Sequence, residues 1–190
     1  MTILPVVAAL LVLVILYGWY ASIVTRKNRV AEAMSGVDVQ LTQRQSLIPN
    51  LLAIARKFMA HERELLEEIT ALRARAGAAA AETDPARMGP RFAVEQELGA
   101  SIGKLFAVAE NYPQLKSDGP MIEAQRAYQE VETNIAAARR FYNAAVSDLR
   151  NAVQVFPGTI LAGLAGDGTL PVYFEAAESA RAPVNAADLL

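Results

Sequence analysis

The sequence predicts an all-α protein: one N-terminal transmembrane helix followed by an up-and-down antiparallel bundle of long helices. Three observations predict this. No charged side chain occurs from Met1 to Thr25. Beyond it, apolar residues recur at alternating spacings of four and three, a seven-residue period that no strand pattern produces. Only short segments interrupt that period, and short connections force consecutive helices to run antiparallel. The expected organisation is an anchor over residues 1–25, a helical bundle over 26–156, and a Gly/Pro-rich tail over 157–190, partly packed on the bundle.

The anchor comes first. Ile3 to Val24 is 22 residues, and at about 1.5 Å per residue a helix of that length crosses a hydrocarbon core of roughly 30 Å. Such a helix pairs its own backbone groups, as lipid requires. Tyr17, Trp19 and Tyr20 cluster near one end, where amphipathic rings favour the headgroup layer, and Arg26, Lys27 and Arg29 follow. A secretory leader carries positive charge before its apolar core, and Met1-Thr2-Ile3-Leu4 offers only a terminal amine, so no cleavage is expected. Because basic flanks stay cytoplasmic, the expectation is a single-pass protein of the cytoplasmic membrane, N-terminus out and helical domain in the cytoplasm.

The first long helix carries Val30, Met34, Val37, Leu41, Arg44, Ile48, Leu51, Ala55, Phe58, Glu62, Leu65, Ile69, Leu72 and Ala76 on one stripe, all apolar except Arg44 and Glu62. Pro49 removes a backbone donor in its middle, which predicts a kink or short break near Ser46 to Pro49. Gly77 is the expected end. A second helix is expected from Asp84-Pro85, a capping side chain and a proline suited to the first turn, to about Tyr112-Pro113. Ser117-Asp118-Gly119-Pro120 starts the third, whose stripe is Met121, Ala124, Tyr128, Val131, Ile135, Ala138, Tyr142, Ala145, Leu149 and Ala152. From Pro157 glycine and proline recur. Pro171-Val172-Tyr173-Phe174 is apolar enough to pack back, and the final residues to Leu190 are expected to be mobile.

Composition removes most chemistries. The chain has 190 residues, 53% of them hydrophobic and 20% charged, with a net charge of -2 and no basic footprint for nucleic acid. It has no cysteine, hence no disulfide, thiolate metal site or cysteine nucleophile. Its single histidine, His61, begins a zinc-protease-like His-Glu run, but Leu65 occupies the second ligand position. Phe58 likewise occupies the place of the glutamate that a di-iron Glu-x-x-His motif needs. His61 is therefore read as an exposed helix residue, and Glu62, Glu64, Glu67 and Glu68 as a solvated face. Gly99-Ala-Ser-Ile-Gly103-Lys104-Leu105 falls one residue short of a phosphate loop and lacks its Ser/Thr, so the two glycines are read as close helix packing. Gly163-Leu-Ala-Gly166-Asp-Gly168 is read as a loop. No catalytic, cofactor-binding or metal-binding residue is expected.

A charge at a core-facing position demands a partner. Arg44 is therefore expected to meet a carboxylate on the helix of Glu132, with Arg139 flanking the same stripe, and so to set helix register. Candidate contact residues are Leu47, Ile48, Pro49 and Asn50, and Tyr112, Pro113 and Lys116, since corners on a rigid frame commonly carry recognition. The plainer reading is that Pro49 and Pro113 only shape the backbone.

Several segments together resemble the LemA family: Gly36-Val37-Asp38-Val39-Gln40-Leu41 with Arg44 and Leu47-Ile48-Pro49-Asn50-Leu51; His61-Glu62; Ala74-Arg75-Ala76; and Asn111-Tyr112-Pro113-Gln114-Leu115-Lys116. Glu132, Ile135, Ala138-Arg139, Phe141-Tyr142-Asn143 and Phe156-Pro157 continue the match. Ala124 and Tyr128 stand where leucines are expected, and Ala165-Gly166-Asp167 replaces a glycine–phenylalanine signature. The resemblance implies a bacterial single-pass membrane protein with a cytoplasmic helical bundle and no enzymatic activity.

The functional expectation is a membrane-anchored, non-enzymatic scaffold. Its expected partners are the lipid bilayer, other membrane or cytoplasmic proteins, and further copies of itself; nucleic acid is not expected. The alternative is a signal-transducing, receptor-like membrane subunit. A membrane hydrolase ranks last, because it would need His61 or a carboxylate pair in a pocket.

Overall fold

The computed structural model describes residues 3–163 and 170–175. Among them the secondary structure is helical throughout: α1 (Ile3–Phe58), α2 (Arg63–Ala79), α3 (Gly89–Ala109), the short α4 (Pro113–Lys116), α5 (Gly119–Gln154) and the short α6 (Gly158–Leu161). The loop expected to Gly168, the Ala165–Asp167 departure and the terminal residues to Leu190 lie outside the described residues, wholly or in part.

The expected stripes form. On α1, Val30, Met34, Val37, Leu41, Ile48, Leu51 and Ala55 are all buried, and on α2 so are Leu65, Ile69, Leu72 and Ala76. On α5 the stripe is buried except for half-covered Ala124 and Ala138. Asp118 starts α5 by accepting a hydrogen bond from Met121 N at 3.2 Å, satisfying a donor that a helix start leaves orphaned.

Of the kink or short break expected near Ser46 to Pro49, the break does not occur. α1 runs through Pro49 without interruption, and the chain instead turns at 59–62. Proline at position 49 deprives the Gln45 carbonyl of its partner four residues on. Arg73 Nε of α2 donates to that carbonyl at 3.2 Å. The donor that proline withholds is supplied from the neighbouring helix. The turn falls where the stripe is weakest, at half-buried Phe58 and Glu62, and no glycine or proline marks it. Folding there gathers Leu65, Ile69, Leu72 and Ala76 into one core with Ile48, Leu51 and Ala55. The end expected at Gly77 also moves, to Ala79. Nor does α3 begin at Asp84-Pro85. Asp84 Oδ1 accepts from Ala86 N at 2.9 Å in a local turn, and the helix starts at Gly89 with Pro90 in its first turn. A helix begun at residue 85 would meet Pro90, whose ring clashes with the carbonyl four residues earlier.

The chain divides into two units. One comprises Met1–Gln43, Asp84–Ala86 and Val131–Tyr173. In it α1 and α5 run antiparallel, joined where Trp19 Nε1 donates to the Ala152 carbonyl at 3.3 Å. Residues 171–173 lie along α5. Arg150 Nη2 donates to the Pro171 carbonyl at 2.7 Å and its guanidinium stacks 4.7 Å above the Tyr173 ring. Tyr142 Oη donates to the Val172 carbonyl at 2.9 Å, and Val172 N to the Pro85 carbonyl at 3.0 Å.

The other unit comprises Arg44–Thr83, Arg87–Glu130 and Phe174–Leu190. Here the end of α1, then α2, α3 and the start of α5 alternate in direction around one core that includes Ile48, Leu51, Met59, Ile69, Leu98, Ile102, Leu105 and Tyr128. Tyr128 tilts against Phe106 at 5.3 Å, and Phe174 stacks on Phe92 at 4.0 Å. Both are favourable ring geometries. Splitting the first stripe at 59–62 is what supplies this bundle with its fourth helix.

Candidate functional site

The first place to look is the outer end of α1. From Ile3 to Tyr20 the large apolar side chains are exposed, Leu10 to Ile15 by 55–67%, while Leu16 and Trp19 are half-covered. An 18-residue window of this helix is long and apolar enough to cross a membrane, with none of it buried within the protein. Just past it, Ile23 is buried and Arg26 donates to Ser22. Trp19, Ser22 and Arg26 of α1 face Asp148, Asn151 and Ala152 of α5, and Val155 just past it, across a groove of about 400 Å³. Gly158, at the start of α6, completes the contact. A Cβ there would strike the Ala152 carbonyl and lie 3.0 Å from Trp19 Nε1. Only glycine lets α6 close against this junction.

The second place is the buried polar cluster of the four-helix unit. Arg44 is 3% exposed and Glu95, on α3, 1%. Arg44 Nη2 pairs with Glu95 Oε2 and also donates to the Glu95 carbonyl at 2.9 Å. Gln45 Nε2 donates to Glu95 Oε1 at 3.3 Å. Several partners on one carboxylate offset the desolvation that a buried ion pair incurs. Gly99 leaves room for the guanidinium: an added Cβ would come within 3.2 Å of Arg44 Nη1. The close approach expected at Gly99 is thus to a side chain, and Gly103, with open space around it, makes none.

The carboxylate supplied to Arg44 within this unit is therefore Glu95, which the sequence reading did not single out. Its signal was nonetheless present, since Arg91, Glu95, Leu98, Ile102, Leu105 and Ala109 share the spacing of four and three and are all buried. Glu132 and Arg139 belong to the other unit, where both are half-buried and engaged by partners. Arg91 donates to the Glu82 carbonyl at 3.3 Å.

The candidate contact residues separate. Ile48 is fully buried and belongs to the core. Leu47 is half-covered, and Pro49 and Asn50 are exposed on α1. In the second segment Pro113 and Lys116 are exposed, whereas Tyr112 Oη donates to Glu62 Oε1 at 3.0 Å. That bond holds the tyrosine proton and raises its pKa above the ordinary value. It also ties the loop before α4 to the turn after α1.

His61 is exposed, in the turn rather than on a helix. Of the acidic residues near it, Glu67 pairs with Arg63 at 2.7 Å and Glu68 accepts from Ser101 at 2.6 Å. Burial pushes the Tyr142 hydroxyl up to about 12, against a smaller opposing pull from Arg150. Among the described residues no group of three or more His, Cys, Asp or Glu side chains is placed to hold a metal ion.

No match was found among curated proteins. The model of the LemA family matches residues 33–187, which covers the bundle and begins beyond the apolar segment. The helical architecture and this match lead to one conclusion: the chain is a member of the LemA family.

Proposed function

We propose that this protein is a membrane-anchored, non-enzymatic scaffold whose apolar segment of α1 crosses the cytoplasmic membrane, N-terminus out, with the bundle in the cytoplasm. The observation that carries the proposal is the contrast within α1. Its first 22 residues from Ile3 are uncharged and mostly uncovered, and Arg26, Lys27 and Arg29 follow at once. Water around so many exposed apolar side chains is unfavourable, and a bilayer is the environment that removes the cost. The basic collar favours retention on the cytoplasmic side. The exposed residues Pro49, Asn50, Pro113 and Lys116 offer contact surfaces to other proteins or to further copies of the chain.

The test is fractionation combined with protease accessibility. The intact chain should stay with membranes after alkaline extraction, and protease added from outside should leave the bundle uncut. Release by alkali, or digestion of the bundle from outside, sinks the reading. Cross-linking in membranes should then trap the chain to a partner or to itself.

One observation favours the second reading, a signal-transducing subunit. α1 continues from the apolar segment to Phe58 as one helix, so a displacement at the membrane would be passed on mechanically. Exchanging residues 3–24 for an unrelated span separates the two, since a scaffold keeps its output and a transducer loses it.

A further inference from the structure

We propose that the corner between α5 and α6 is a second lipid contact: Val155, Phe156 and Ile160 insert into the acyl–headgroup boundary beside the span. This rests on the reading of α1 as membrane-spanning and adds to it a site on a different part of the chain.

The two helices fix the depth. Trp19 meets Ala152, and Ser22 and Arg26 share a groove with Asp148, so advancing along α5 means retreating along α1 toward its apolar end. Val155 lies three residues past Ala152, about 5 Å further in that direction. It therefore lies at the apolar end of the groove it shares with Trp19 and Ser22. Around this corner the chain exposes apolar side chains, Val155 by 57%, Phe156 by 73% and, on α6, Ile160 by 67%, and Gly158 between them sits at Ala152 and Trp19. One turn back, level with Ser22, stand Asp148 and Asn151, and Arg26 lines the same groove. Apolar groups toward the apolar end of α1 and polar groups toward its collar are the order a membrane boundary imposes. The aromatic rings of Tyr17 and Tyr20 mark the same boundary on α1.

The corner is held there. Gly158 sits against the Ala152 carbonyl and Trp19 Nε1 with no room for a Cβ, so α6 cannot slide along α1 toward the collar without breaking this contact. The occupant is the lipid interface rather than a partner protein, because the patch is continuous in depth with the segment that lipid already surrounds.

The chain contains no cysteine, which makes single-cysteine spin labelling of the full-length protein direct. Labels are placed one at a time by Val155→Cys, Phe156→Cys and Ile160→Cys in vesicles of phosphatidylethanolamine and phosphatidylglycerol. Leu13→Cys reports the span, and Phe141→Cys reports an exposed position elsewhere on α5. The expected result is that the corner labels collide with oxygen more than with a water-soluble nickel chelate, as Leu13→Cys does, while Phe141→Cys favours the chelate. Chelate-dominated collisions at all three corner positions, with Leu13→Cys still oxygen-dominated, overturn the inference and leave the anchor standing. Low collision rates with both agents at the corner overturn it in favour of a protein occupant. A chelate-dominated Leu13→Cys overturns the anchor and the inference together.

Discussion

Two stretches of α1 are both apolar and meet opposite fates. Leu10 to Ile15 form an unbroken apolar run, and each is more than half exposed. Val37, Leu41 and Ile48 are separated by charged and polar residues, and each is at most 2% exposed. What buries a residue within this protein is therefore the period of the pattern and not the hydrophobicity of the segment. A stripe confined to one face can be covered by a neighbouring helix, whereas a segment apolar all round cannot be covered by one neighbour. Its uncovered surface needs another solvent.

The comparison predicts a ranked set of responses. The largest belongs to the charge that the striped stretch tolerates. Glu95→Ala, which removes the buried carboxylate that α3 sets against Arg44 and Gln45, should lower unfolding free energy by roughly 3–5 kcal/mol. The double replacement Arg44→Met with Glu95→Leu should recover most of that loss. Chemical unfolding of the detergent-solubilised chain measures both, and an unaffected Glu95→Ala would show that burial of the pair is not what constrains this bundle.

Next is the contrast itself. Leu41→Ala should cost about 2–5 kcal/mol because it opens a cavity, while Leu13→Ala should change bundle stability by no more than about 0.5 kcal/mol. Equal losses would erase the distinction between the two stretches. A smaller effect is expected at Arg73. Arg73→Ala should cost about 0.5–1.5 kcal/mol, the usual net worth of a hydrogen bond. The cost should shrink when Pro49→Ala restores the donor within α1, and a double-mutant cycle reads the difference.

The last response appears only in alkali. Tyr142 holds its proton more tightly when folded, up to about 12 against an ordinary value of 10.0. A group whose folded pKa is raised contributes stability that is complete below its unfolded pKa and is lost as pH rises through the folded one. Unfolding midpoints of the wild type should therefore fall between about pH 10 and pH 12 more steeply than those of Tyr142→Phe, with the two curves parallel at lower pH.

Much of this was legible in the residues. The uncharged run, the basic collar, the stripes of α1, α2 and α5 and the Asp118 start of α5 all depend on neighbours within a few positions along the chain. The candidate sites were legible only in part. Arg44 announced its need for a carboxylate, but nothing local pointed to Glu95, and the packing of α3 beside the end of α1 is what brings Glu95 to it. Pro49 looked like a break because the donor that compensates it, Arg73, lies on another helix.

The amino-acid order alone thus determined which faces are apolar, where charge begins and which segments are helical, because those are properties of local period and propensity. Tertiary structure decided where the first stripe folds back, that Glu95 reaches Arg44, who serves the Gln45 carbonyl and that α6 closes on Trp19. Each of those is a choice among chemically similar partners, and only the distances set by packing choose between them.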